Sequence, residues 1–141
     1  VILEFIPPLP LSEELDALLL PSSSLSKPSS AEFLRLNSKE FIPAPGQGVV
    51  AYLTLKDDIP VRRRLKPLHH REVSACTNVE RRLLQLAEDN GASPLGAYCE
   101  QGPEGHFHLW AVLPGKDGEL HYARRSSSTN FRLAEQLWDS L

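Results

Sequence analysis

The chain has 141 residues, with 15 Lys and Arg against 18 Asp and Glu, 41% hydrophobic residues, 12 Pro, two Cys and no Met. That is enough chain for one ordinary domain with a real core, and its apolar and charged fractions exclude a wholly disordered polypeptide. No apolar run approaches the roughly 18–20 residues that span a bilayer, and a formal net charge of −3 gives no electrostatic footprint for nucleic acid or a polybasic membrane contact.

Two cysteines, Cys76 and Cys99, are too few for a disulfide scaffold. The apolar start carries Glu4 and no basic segment, so it does not read as a signal peptide. A reducing, cytoplasmic setting is the expectation. A chain that begins Val1-Ile2-Leu3 reads as one whose start was removed or as a piece of something longer.

The first 26 residues contain no Lys or Arg, and the first 45 hold seven of the 12 prolines. Val1 to Ile6 is apolar and β-branched and reads as a strand ended by Pro7-Pro8. Ser12-Glu13-Glu14 suits a helical turn, and Asp16-Ala17-Leu18-Leu19-Leu20 is a second apolar run stopped by Pro21 and three serines. Ser26 to Ser30 is loop-like, and Ala31 to Ile42 has no assignable period. Pro43-Ala44-Pro45-Gly46-Gln47-Gly48 then leads into Val49 to Leu55, a strand by β-propensity and length.

Asp57-Asp58 before Ile59-Pro60 is a helix entry, with Val61, Leu65 and Leu68 as its apolar side and Pro67 limiting it to about two turns. Ser74 to Glu88 is the strongest helix: Cys76, Val79, Leu83, Leu86 and Ala87 recur at three- and four-residue spacing. Thr77-Asn78-Val79-Glu80 has the form of a capping box, with a start up to three residues before Ser74 also allowed. Asp89-Asn90-Gly91 suits a left-handed end. Strands follow at Leu95 to Cys99, Phe107 to Leu113 and Glu119 to Arg125, the last two joined by a hairpin loop from Pro114 to Gly118. Asn130 to Leu141 reads as a final helix. The fold class is α+β: a small three-stranded antiparallel sheet with helices packed on one face, preceded by a partial α/β segment.

No catalytic constellation stands out from residue types alone. His106 and His108 have ligand-like spacing on a predicted strand, but no Cys or carboxylate is placed beside them in sequence, which weighs against a metal site. Arg62-Arg63-Arg64 with Lys66 offers positive charge for phosphate or carboxylate, yet on a short helix such a run is usually a solvated face. Cys76, on the apolar side of its helix, reads as a small core residue, and Cys99 has no neighbouring base to make it a nucleophile. Pro45-Gly46-Gln47-Gly48 permits a sharp turn or a close approach to a ligand, and as a bare motif says no more.

Several of these segments occur together in a recognisable order. Phe41-Ile42-Pro43-Ala44-Pro45-Gly46-Gln47-Gly48-Val49-Val50-Ala51 resembles the hinge signature of hydroxymethylbilane synthase (porphobilinogen deaminase). The run from Glu80-Arg81 to Pro94-Leu95-Gly96-Ala97-Tyr98 is similar to the same family without a gap, and Asp16 to Leu20 resembles a strand near the end of its second domain. The resemblance covers most of the chain.

It implies residues 1–45 as the remnant of a second, α/β domain, 46–56 as a hinge strand and 57–141 as a C-terminal α+β domain. It also implies the family's activity: linking four porphobilinogen units into hydroxymethylbilane on a dipyrromethane cofactor held as a thioether by a cysteine of the third domain. The first domain, with the family's catalytic Asp, has no counterpart in these residues, so no residue here is assigned a catalytic role and no metal is implied.

The attachment cysteine falls at Gly91, the family's arginines fall at Ile6 and its neighbours and at Lys27, and Gln47 keeps the hinge residue that approaches the cofactor. Without a thiolate there is no thioether and hence no covalently held cofactor. Without the forked guanidinium groups, paired carboxylates lose their best partners, leaving Lys27 as the candidate substrate-binding residue.

Two functions follow. One is a non-catalytic relative kept as a binding or structural module. The other is a working portion of the synthase completed by upstream residues, such as the missing N-terminal domains, or by another chain. An unrelated α+β binding domain sharing the motif is a third reading, and absence of a three-stranded antiparallel sheet after Pro94 would favour it.

Overall fold

The computed structural model describes residues 34–115 and 117–141. The readings at Val1 to Ile6, Ser12 to Glu14, Asp16 to Leu20 and Ser26 to Ser30, including Lys27, lie outside the described residues. Leu36–Leu141 forms one compact unit.

Its order is helix α1 (Ile59–Leu65) with a 3-10 turn at Lys66–Leu68, helix α2 (Arg71–Asp89), strands β1 (Gly96–Gln101), β2 (Phe107–Pro114) and β3 (Leu120–Ser127), and helix α3 (Leu133–Trp138). The sheet is antiparallel in the order β1-β2-β3, with Cys99 opposite Leu109 and Leu109 opposite Arg125. The α+β expectation therefore holds.

Alternation along the strands decides which face is covered. Ala97, Cys99, Phe107, Leu109 and Ala111 point to one face and are buried with Cys76, Val79, Leu83 and Ala87 of α2 and Leu133, Ala134 and Leu137 of α3. Leu83, Leu109, Leu133 and Leu137 are fully enclosed. The other face carries Trp110, packed against Tyr98 and His108. Lys39 and Arg124 place their cations 5.0 and 5.1 Å from its ring centre and help to shield Trp110, with no helix above it among the described residues.

α1 is capped as the sequence suggests: Asp58 accepts the Val61 N–H at 3.1 Å, and proline sits in the first turn. Val61 and Leu68 stay exposed, however, and α1 buries none of its residues, so the expected apolar side is not used. The three arginines are likewise exposed, with Arg62 donating to the Lys56 carbonyl.

α2 begins three residues before Ser74, capped by His70, whose Nδ1 accepts the Val73 N–H. The capping box does not form. Thr77 lies in the helix interior and donates its hydroxyl to the Val73 carbonyl at 2.8 Å, and Glu80 reaches across to other elements. The helix ends in a Schellman motif: the Ala92 N–H reaches the Ala87 carbonyl and the Gly91 N–H that of Glu88, with Gly91 at φ 69°.

Two expected elements differ. Val49 to Leu55 is not a strand: Val50 and Leu53 are 92% and 99% exposed, and no described residue pairs with the segment. β-propensity is realised against a neighbouring strand, and none of the described strands stands beside it. The last helix is shorter than Asn130 to Leu141, because Arg132 adopts a left-handed conformation at φ 53° and the helix starts only after it. Phe131 and Leu141 remain exposed at its ends.

Candidate functional site

The turn at Pro43 to Gly48 is built by its own residues. Gly46 and Gly48 take φ of 74° and 80°, a region costly for side-chain-bearing residues. The Gln47 N–H donates to the Ala44 carbonyl, while the Gln47 side-chain oxygen accepts the Ala44 N–H at 3.2 Å. Gln47 is exposed and folded back on its own turn.

The turn is fastened to the helix and the sheet. Glu80 Oε2 accepts the Gly46 N–H at 2.7 Å, and Glu80 Oε1 accepts the Cys99 N–H at 2.8 Å. One carboxylate thus joins turn, α2 and β1. Ahead of it, the Pro43 carbonyl accepts the Ala97 N–H, and the backbone of Ile42 passes so close to Gly96 that a Cβ there would stand 2.9 Å from its oxygen. Burial pushes the Glu80 carboxyl above its ordinary value, opposed by the two N–H groups that favour its charged form.

Gly91 stands on the exposed loop between α2 and β1, with nothing within 4 Å of where a Cβ would be. Among the described residues no hydrogen bond joins Gln47 to the Gly91 turn; each turn is held separately, that of Gln47 through Glu80 and that of Gly91 through the carbonyls of α2. Both thiols lie inside the molecule: Cys76 and Cys99 are free and buried, so neither is presented at that loop.

His106 precedes β2 and is exposed, so the two histidines do not share a strand. His108 does find a carboxylate, contrary to the sequence reading: its Nε2 lies 3.1 Å from Glu104, and its Nδ1 lies 2.7 Å from the Ser126 hydroxyl. The loop between β1 and β2 turns Glu104 back onto the strand, which linear spacing does not display. No group of three or more His, Cys, Asp or Glu side chains is placed to hold a metal among the described residues.

Glu80 is the residue that sequence reasoning missed. Its signal was present: it sits on the α2 face marked by Cys76, Val79, Leu83 and Ala87, where a carboxylate needs buried donors.

No protein-family model matches the chain. Among curated proteins it is 33% identical over 97 residues to the porphobilinogen deaminase of Chloroherpeton thalassium, covering 69% of this chain and 31% of that protein. It is 29% identical over 109 residues to that of Alkaliphilus metalliredigens, covering 76% and 34%. It is 30% identical over 114 residues to that of Geobacillus kaustophilus, covering 79% and 37%. The chain thus spans about a third of the length of these curated relatives. The repeated similarity to these proteins identifies the chain as a member of the porphobilinogen deaminase (hydroxymethylbilane synthase) family that corresponds to its C-terminal region.

Proposed function

We propose that this chain is a hydroxymethylbilane synthase-like protein of tetrapyrrole biosynthesis that holds no covalent dipyrromethane and is not catalytic by itself. The observation that carries this reading is Gly91. The position of the family's attachment cysteine is a left-handed C-terminal cap with no side chain, and the chain's two thiols are buried elsewhere. In this reading residues 1–45 are the end of the second domain, 46–56 the hinge and 57–141 the third domain, in a cytoplasmic pathway. Gln47 is the retained cofactor-facing residue and Lys27 the candidate cation for a substrate carboxylate.

The test is the intact mass of the full 141-residue chain after incubation with porphobilinogen, together with ammonia release. The expected result is the bare polypeptide mass and no turnover. A stable increment matching a dipyrromethane would overturn the reading.

A second reading is favoured by Val49 to Leu55. Val50, Leu53 and Leu55 expose apolar side chains along a segment of high strand propensity, as a strand awaiting a neighbouring strand would. It supports a portion of the synthase completed by another polypeptide carrying the first two domains. Mixing the chain with the corresponding part of a relative would then protect the amides of residues 49–55 from exchange and restore porphobilinogen consumption. Unchanged exchange and no consumption would exclude it.

A further inference from the structure

Three side chains on the open face of the sheet join into one line of hydrogen bonds. His108 on β2 stands directly opposite Ser126 on β3, and the two-residue alternation turns both onto the face that α2 and α3 do not cover. The His108 Nδ1 lies 2.7 Å from the Ser126 hydroxyl, and its Nε2 lies 3.1 Å from Glu104 Oε1. The loop between β1 and β2 brings Glu104 there: the Gly102 N–H donates to the His106 carbonyl, the Gly105 N–H to that of Gly102, and Gly105 takes φ 84°. Glu100, the β1 residue opposite His108, is engaged by Lys39 at 2.7 Å and by the Tyr98 hydroxyl at 3.3 Å.

The direction of each bond follows from what the groups can donate. The N–H of its own backbone, and then the His108 ring, hold the Glu104 carboxyl below its ordinary value. A carboxylate only accepts, so the neutral ring carries its proton on Nε2 and leaves Nδ1 to accept from the Ser126 hydroxyl. The His108 side chain is 16% exposed while Ser126 is open to solvent, so the base is shielded and the hydroxyl it polarises can be reached.

We propose that Ser126 is an activated serine nucleophile that takes the acyl group of aryl esters, with His108 as its general base and Glu104 as the positioning residue of that base. Ser126 Oγ attacks the ester carbonyl as its proton passes to His108 Nδ1. The carbonyl re-forms as the ester C–O bond breaks, and the departing phenolate takes the proton from His108, leaving acyl-Ser126 and a phenol. Water then attacks the acyl group with His108 again as base, which frees Ser126 and a carboxylic acid. An aryl ester suits the site because a phenolate leaves with little help, and because Tyr122, 62% exposed on the same face of β3, offers a ring beside it. Arg124, between Tyr122 and Ser126 on that face, brings positive charge for the carbonyl oxygen as it becomes negative. The inference uses none of the residues behind the proposed function, so the two stand or fall separately.

The experiment incubates the full-length chain with p-nitrophenyl acetate and follows p-nitrophenolate release, intact mass and the acetylated peptides. Ser128, exposed in the same chain, serves as the internal standard for an ordinary serine. Ser126 should be acetylated at least about a hundredfold faster than Ser128, the lower end of what a positioned general base contributes. His108→Ala should bring Ser126 down to the Ser128 rate, with part of the loss restored by added imidazole. Glu104→Ala should slow the acetylation, and Glu104→Asp, which keeps the carboxylate, should recover part of it. Thermal melts matching the parent show that each variant is folded; if one is not, the ratio of Ser126 to Ser128 in the parent decides alone. Equal acetylation of the two serines, acetyl groups confined to lysines, or an unchanged Ser126 rate in folded His108→Ala would overturn the proposal.

Discussion

Glu80 Oε2 accepts the Gly46 N–H at 2.7 Å across 34 positions of sequence, while the other oxygen of the same carboxylate takes the Cys99 N–H at 2.8 Å. A buried helix residue therefore fastens the Pro43 to Gly48 turn to the sheet.

Replacing Glu80 by Ala leaves both N–H groups without their acceptor in a largely buried place. At about 1–3 kcal/mol for each buried group left unsatisfied, Glu80→Ala should lose about 2–6 kcal/mol of stability in urea unfolding. Faster exchange of the Gly46 and Cys99 amides than of the β2 amides should accompany it. An unchanged midpoint would refute the anchoring role.

The same carboxyl gives a pH signature. Its value is raised from 4.5 by burial, so between the ordinary and the raised value the folded state binds more protons than the unfolded state. Stability attributable to Glu80 is therefore highest at low pH and falls as pH rises through that window. The neutral amide of Glu80→Gln does not titrate, so the melting-temperature advantage of the parent over that variant should shrink as pH rises just above 4.5. Growth of that advantage over the same range would contradict the assigned burial.

Gly91→Cys should fold with a modest penalty. The left-handed backbone at φ 69° costs a side-chain-bearing residue about 1–2 kcal/mol, and the space around it is open. The variant should show one thiol that reacts quickly with a maleimide, whereas the parent's buried pair reacts slowly. A new thiol as slow as the parent's would place residue 91 somewhere other than an exposed loop.

Gly96 lets the chain at Ile42 lie against β1. A Cβ there would meet the Val112 side chain at 2.8 Å and the Ile42 carbonyl at 2.9 Å. Gly96→Ala should therefore cost about 1–3 kcal/mol, as overpacking typically does, and should loosen the Ala97 N–H bond to Pro43. Amide exchange at Ala97 is the direct readout, and protection equal to the parent's would show that the close approach is dispensable.

What was legible in the sequence tracks what is local. The α2 period, the Asp-Asn-Gly stop at Gly91 and the three strands with their turns are decided by neighbouring residues, and all appear in the structure. Where a residue's partner is distant, local signals misdirect. Glu80 looks like the end of a capping box because Thr77 stands three before it, yet its partners are Gly46 and Cys99. Val49 to Leu55 has strand propensity but no adjacent edge to pair with among the described residues. The end of α2 at Gly91 was legible because its cap is local, and the two Glu80 contacts were not, because they depend on how α2 lies on β1 and on the Gly46 turn.

The packing of α2 against α3 has a consequence for how the molecule is made. Neighbours in sequence are neighbours in space from α2 through β1, β2 and β3, and the unit closes only when α3 returns to α2. Leu133, Ala134 and Leu137 fill the core beside Val79 and Leu83. During synthesis α2 and the strands can pack as they emerge, but the part of the core that α3 covers stays open to solvent until Leu137 has left the ribosome. Closure of this core must therefore be a late event, and a chain stopped before Leu133 would present its apolar core as a surface.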